Sequence, residues 1–104
     1  MKKTEKALIE RWKKEEIWRI YWEHVVCWLF SEQESMDCLK EMKHNQDGYI
    51  DLRGFSLGNG EDYKEFLQNS RGLISKKKFI KVDFSLADLK NVYMEKCEFI
   101  DCVF

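Results

Sequence analysis

Residues 82–104 read VDFSL ADLKN VYMEK CEFID CVF, and a large apolar residue recurs at every fifth position of this stretch. A small residue stands two positions before each large one. A period of five fits neither the 3.6-residue turn of an α-helix nor the two-residue alternation of a strand. A fixed repeat of this kind predicts stacked units that share one apolar interior. The residues predicted to face that interior are Phe79, Val82, Phe84, Ala87, Leu89, Val92, Met94, Cys97, Phe99, Cys102 and Phe104.

The quintet at 87–91, ADLKN, matches the motif A(D/N)LXX, and the repeat resembles the pentapeptide-repeat family. The resemblance covers about residues 79–104, and residues 50–59 look like an earlier stretch of the same repeat. It implies a right-handed quadrilateral β-helix with four quintets in each coil. The expected fold class is therefore α+β, with N-terminal helices followed by a short solenoid of this kind.

Helical patterns come before the repeat. Residues 4–30 carry apolar side chains at helical spacing on two adjacent stripes, which together are wider than a surface helix needs. This helix is expected to be covered on more than one side. Ser31 and Glu34 have the spacing of a capping box, which predicts a second helix over about 32–43. Residues 44–48 have the composition of a turn.

These patterns divide the chain into a helical region at 1–47 and a repeat region at 48–104. The two repeat stretches are out of register, so an insertion is expected at about 60–78. Within the insertion, residues 62–67 have the spacing of a short helix and residues 70–78 the composition of a polar, basic loop.

The repeat region is short for a solenoid, since five quintets make little more than one coil. Its last coil is expected to leave an open apolar end, which predicts association. Three outcomes fit this expectation: a homodimer formed end to end, a partner protein that covers the end, or a longer protein of which this chain is a fragment.

Composition narrows the classes of function. The chain has 18 basic and 19 acidic residues, and its formal net charge of −1 lacks the basic excess of a nucleic-acid binder. No apolar run approaches the roughly 18 residues of a membrane span, and no signal-peptide pattern opens the chain. A cytoplasmic location is expected, with the four cysteines reduced and packed as small apolar side chains.

No catalytic, cofactor or metal site is predicted, so the chain is not expected to be an enzyme. His24 and His44 do not stand near a serine or cysteine in a known nucleophile motif. Cys97 and Cys102 do not have the spacing of a common zinc pair. Residues 45–50 resemble a calcium loop only briefly, and a turn explains them better.

Two groups of side chains are candidates for an interface. The first helix carries four tryptophans, a residue enriched at binding hot spots. A lysine cluster at the end of the expected insertion suits phosphate or an acidic partner, although a charge run more often forms a solvated face. The candidate interface residues are Trp12, Trp18, Trp22, Lys76, Lys77 and Lys78.

The resemblance implies a non-enzymatic protein-binding module of bacterial or phage origin. Its expected role is to inhibit or neutralise a bacterial protein target in a defence, immunity or toxin-related setting. One alternative is a DNA mimic that modulates DNA gyrase, and another is the N-terminal capping part of a longer solenoid. Residues 77–104 carry five lysines and five acidic residues, a balance that does not favour DNA mimicry.

Overall fold

The computed structural model of the chain describes residues 2–57, 73–89 and 92–104. Within these ranges two α-helices come first, α1 at Lys3–Lys14 and α2 at Glu16–Leu29. A short 3-10 helix follows at Asp37–Leu39. The strands are β1 at Ile50–Asp51, β2 at Leu73–Ser75, β3 at Lys78–Ile80, β4 at Val82–Asp83, β5 at Tyr93–Glu95 and β6 at Glu98–Ile100.

The strands pair in parallel, β1 with β4, β2 with β5 and β3 with β6. Ile74 lies opposite Met94 and Phe79 opposite Phe99, so the last two pairs share one register offset. The chain turns at left-handed corners, where five residues other than glycine have φ between 51° and 63°. The period of five in the sequence is the spacing of these corners. The corner residues are Lys76, Lys81, Leu86, Lys96 and Asp101.

The prediction of a right-handed quadrilateral β-helix is wrong. The described strands form three separate two-stranded sheets instead of a continuous solenoid. The physical reason lies at the outer edge of β3, where a further strand of a solenoid would pair. The Lys78 N–H donates to the Glu34 carbonyl at 3.3 Å, and the Ile80 N–H donates to the Met36 sulfur at 3.3 Å. The segment after α2 therefore occupies this edge.

The helical region also differs from the prediction. The single helix expected over 4–30 is interrupted at Glu15, which has extended backbone (φ −98°, ψ 124°). The second helix expected over 32–43 is reduced to the short 3-10 helix. The Ser31 hydroxyl donates back to the Trp28 carbonyl at 2.7 Å and does not cap a new helix. The short helix expected at 62–67 lies outside the described residues, and part of the loop expected at 70–78 is strand.

One apolar core joins the helices to the sheets. Trp12 meets Phe55 edge to face with ring centroids 5.3 Å apart, and Trp28 meets Phe79 in the same way at 5.3 Å. A buried indole is stable when its N–H is paired, because an unpaired buried donor is costly. Only part of the two helix stripes expected to be covered is buried, since Trp18, Trp22, Val25, Trp28 and Leu29 are buried but Ile17 and Ile20 are exposed. The paired indole N–H groups are those of Trp12 to Arg53 O, Trp22 to Ser56 O and Trp28 to Ser35 O, each at 2.8 Å.

Gly54, in the segment after β1, lies against the backbone of α1. Its φ is +76°, and a Cβ there would lie 2.6 Å from the Leu8 carbonyl oxygen and 2.9 Å from the Ile9 Cα. Glycine alone combines this left-handed backbone with such a contact. Gly48 has a similar φ of +83° but open space around the position of a Cβ.

Gly54→Ala is expected to destabilise the fold more than Gly48→Ala. A left-handed alanine costs about 1 kcal/mol at either position. At position 54 the displacement of α1 adds about 1–3 kcal/mol, the usual cost of overpacking. Urea unfolding followed by tryptophan fluorescence measures both losses. Equal losses in the two variants would contradict the contact between Gly54 and α1.

Candidate functional site

Four phenylalanines form two stacked pairs in the repeat region. Phe79 stacks on Phe99 with ring centroids 4.8 Å apart, and Phe84 stacks on Phe104 at 5.4 Å. The inner members, Phe79 and Phe84, are 1% and 6% exposed, whereas Phe99 and Phe104 are 39% and 75% exposed. Because Phe99 and Phe104 also contact each other, at 5.3 Å, the outer members form one aromatic surface.

This surface, which we call the open face, consists of Met94, Phe99 and Phe104. Met94 lies opposite the buried Ile74 in the pairing of β2 with β5, just as Phe99 lies opposite Phe79. Tyr93, Ile100 and Val103 are further exposed apolar residues of the same strands and the segment after them. An apolar surface of this kind marks an interaction site in many soluble proteins.

The structure divides the residues predicted to face an apolar interior. Met94, Phe99 and Phe104 are exposed, which corrects the expectation that they lie in a core, because no further layer of described residues covers them. The remaining members of the set pack in or against the core. Phe79, Val82 and Phe84 are buried, while Ala87, Leu89, Val92, Cys97 and Cys102 are partly buried.

The tryptophans proposed as an interface are core residues. Trp12, Trp18 and Trp22 are 1%, 7% and 5% exposed, so they offer no surface to a partner. The solvent side of α2 instead exposes Ile17 and Ile20. The residue pattern showed two apolar stripes but not which of them the core would cover.

The lysine cluster separates into one buried and two exposed residues. Lys77 is 1% exposed, and its amine donates to the Ser31 carbonyl at 2.7 Å and to the Gln33 carbonyl. Burial lowers the pKa of Lys77. The buried amine therefore attaches the corner between β2 and β3 to the end of α2, while Lys76 and Lys78 remain on the surface.

A cavity of about 440 Å³, which we call the lysine pocket, lies beside this corner. It brings Lys96 to the predicted cluster, a residue that the spacing in the sequence did not connect to it. The pairing of β2 with β5 places the corner after each strand side by side. The lining residues are Glu34, Ser35, Lys76, Lys77, Lys78, Lys96 and Glu98.

Asp51 is a buried carboxylate with two arginine partners. Arg11 donates to its two oxygens at 2.9 and 3.2 Å, and Arg53 donates to both at 2.9 Å. Burial raises the pKa of Asp51, but hydrogen bonds from Arg53 and Arg11 outweigh burial and hold the pKa well below its usual range. A perturbed carboxyl is a candidate for catalysis. Here the arginines occupy both oxygens, so Asp51 has a structural role.

The other residues weighed as candidates lie in ordinary structural positions. His24 and His44 are exposed, and the Asn45 side chain closes a turn by accepting from the Asp47 and Tyr49 N–H groups at 3.0 and 3.1 Å. In the ranges described, no three histidine, cysteine or acidic side chains are grouped so that they could hold a metal ion. Neither α1 nor α2, the α-helices of those ranges, has the length and apolar character that crossing a membrane requires.

Compared with known proteins, the chain matches no family model, no curated protein and no solved structure. The resemblance to the pentapeptide-repeat family thus rests on the residue pattern alone and stays a prediction.

Asp51→Asn is expected to destabilise the protein by about 3–5 kcal/mol at neutral pH, because it leaves the buried Arg11 without its counter-charge. The folded pKa of Asp51 lies below the unfolded value of about 3.8. The stability that the charged form contributes is thus lost as the pH falls from about 5 toward the folded pKa. Urea unfolding between pH 7 and pH 3 should show a smaller acid-dependent loss in the variant. The same loss in both proteins would contradict this role.

Lys77→Met is expected to cost about 1–3 kcal/mol, because it leaves the carbonyls of Ser31 and Gln33 without their donor. Lys78→Met is the matched control, since Lys78 is exposed, and should change stability by less than about 0.5 kcal/mol. Urea unfolding at pH 7 measures both variants. Similar losses for the two would contradict the buried contacts of Lys77.

The pH dependence gives a second measure of the same contacts. Because the folded pKa of Lys77 is lowered, stability should rise as the pH passes from the folded pKa to the unfolded value of about 10.5. This rise should be smaller in Lys77→Met and retained in Lys78→Met. Unfolding at pH 8 and at about pH 10 separates the two variants.

Proposed function

We propose that this chain is a non-enzymatic module that binds another protein through the open face. The observation that carries the proposal is the exposure of Phe99 and Phe104 directly outside their buried stacking partners. Covering apolar surface of this kind is favourable by roughly 25 cal/mol per Å². The stacking also holds both rings in place, so binding costs little side-chain conformational entropy at these two residues.

The charges around the open face favour a partner that is basic as well as apolar. Strands β5 and β6 and the corners after them carry exposed Glu95, Glu98 and Asp101, against Lys96 as the cation of the same segment. An excess of acidic charge beside an apolar centre steers and orients a partner of opposite charge. The partner that fits this surface presents apolar side chains bordered by lysine or arginine.

The backbone of the same strands supports the proposal. Among the described residues β5 pairs only with β2 and β6 only with β3, so each has a second edge without a strand. Exposed edges of this kind accept an extended segment of another chain through main-chain hydrogen bonds. Pairing there would place partner side chains over Met94 and Phe99.

The proposed consequence of binding is inhibition or neutralisation of a bacterial protein target, as the family resemblance implies. The described surface gives less support to a DNA mimic. Strand β3 and the corners on either side of it carry Lys76, Lys78 and Lys81. This strand pairs with β6, which carries Glu98 and is followed by Asp101. DNA mimicry needs a surface of continuous negative potential, and these lysines interrupt it.

The double substitution Phe99→Ser with Phe104→Ser is expected to weaken partner binding by at least about tenfold, as for a small hot spot. Ile17→Ser with Ile20→Ser is the matched control, since it removes exposed apolar side chains from α2 instead. Pull-downs from a bacterial lysate with wild type, face variant and control identify a candidate partner. Calorimetry with that purified partner, at low and high salt, then measures each affinity.

The expected result is a partner that the wild type and the α2 control bind equally and that the face variant loses, with weaker binding at high salt. Equal binding by all three proteins would overturn the open face as the site. Turnover of a substrate by the purified chain would overturn a non-enzymatic role. Sedimentation tests whether a second copy of the chain covers the open face. If the wild type is a dimer and the face variant is a monomer, the partner is a second copy and not a basic protein.

A further inference from the structure

We propose that the lysine pocket binds a phosphate group. The pocket lies between the segment after α2 and the corners of the paired strands β2 and β5. Its lining contains four lysines and two glutamates, so its formal charge is positive. This site is chemically distinct from the open face, and it goes beyond the proposed binding of a protein.

Lys76 and Lys96 are the two residues on which the proposal depends. Each is an exposed corner residue with φ of 56°, and the corners follow residues that pair across β2 and β5, Ser75 with Glu95. The two lysines therefore occupy equivalent positions after two paired strands, and both line the same pocket. An anion bound between the two corners would be attracted by both ammonium groups at once.

The other two lysines of the pocket are already engaged. Lys78 forms an ion pair with Glu98 at 4.0 Å, and the Lys77 amine donates to backbone carbonyls. In contrast, neither Lys76 nor Lys96 has an ion-pair or side-chain hydrogen-bond partner among the described residues. These two amines are free to bind an anion.

The chemistry of the lining favours phosphate over a single carboxylate. Lysine binds phosphate as a point charge, and a phosphate dianion can accept from two amines at once. Ser35 also lines the pocket, and its hydroxyl accepts from the Asp37 N–H at 3.1 Å and hydrogen-bonds the Asp37 carboxylate, so the two corner lysines are the donors left for an anion. A volume of about 440 Å³ is at the small end of ligand pockets, which suits a phosphate with a small attached group.

The experiment is a calorimetric titration of the full chain with inorganic phosphate, in buffers kept at constant ionic strength with chloride. Saturable binding is expected, and Lys76→Gln or Lys96→Gln should each weaken it by about tenfold, as for a charged hydrogen bond. Lys81→Gln is the matched control, because Lys81 is also an exposed corner residue, with φ of 52°, and does not line the pocket. Its affinity should stay within about twofold of wild type.

A second measurement uses the unmodified chain and so does not depend on the folding of the variants. Phosphate should protect Lys76 and Lys96 from acetylation, detected by mass spectrometry, without protecting Lys81. Titrations with O-phosphoserine and with adenosine monophosphate distinguish the sources, because the tighter ligand shows what the phosphate is attached to. Failure to saturate at constant ionic strength, or equal weakening in Lys81→Gln, would overturn the proposal.

Discussion

The ion pair between Asp51 and its two arginines joins the helices to the sheets. Burying these charges costs desolvation, and the geometry offsets that cost because each carboxylate oxygen accepts a hydrogen bond from both arginine side chains. Arg11 also lies 3.7 Å from the centroid of the Trp18 ring, so its guanidinium is held on two sides. With α1 held against β1 in this way, Trp12 reaches Phe55 and Gly54 meets the backbone of Leu8.

The same arrangement explains why the two sides of the aromatic stack differ. Trp28 and the segment after α2 cover Phe79 and the outer edge of β3, so the inner phenylalanines are buried. The opposite side has no such cover among the described residues, and Phe99 and Phe104 remain accessible. A rigid apolar surface beside a charged pocket is suited to recognition, which is the basis of both proposals.

The residue pattern predicted local features better than their surroundings. A period of five was visible because a left-handed corner recurs at that spacing, while the fold built from it was wrong. Met94 and Phe99 follow the same pattern as Ile74 and Phe79, yet burial depends on what packs on the next layer. Likewise, lysine is usually a surface residue, and only the end of α2 brings carbonyl groups to the amine of Lys77.

The left-handed corners have a consequence for protein engineering. Leu86 and Asp101, like the three lysines at the other corners, hold a backbone conformation that glycine and asparagine adopt more readily. The natural chain thus carries removable strain of about 1 kcal/mol at such a corner. Replacing Leu86, which is 41% exposed, by asparagine would leave the lysine pocket and the open face unchanged while raising thermal stability.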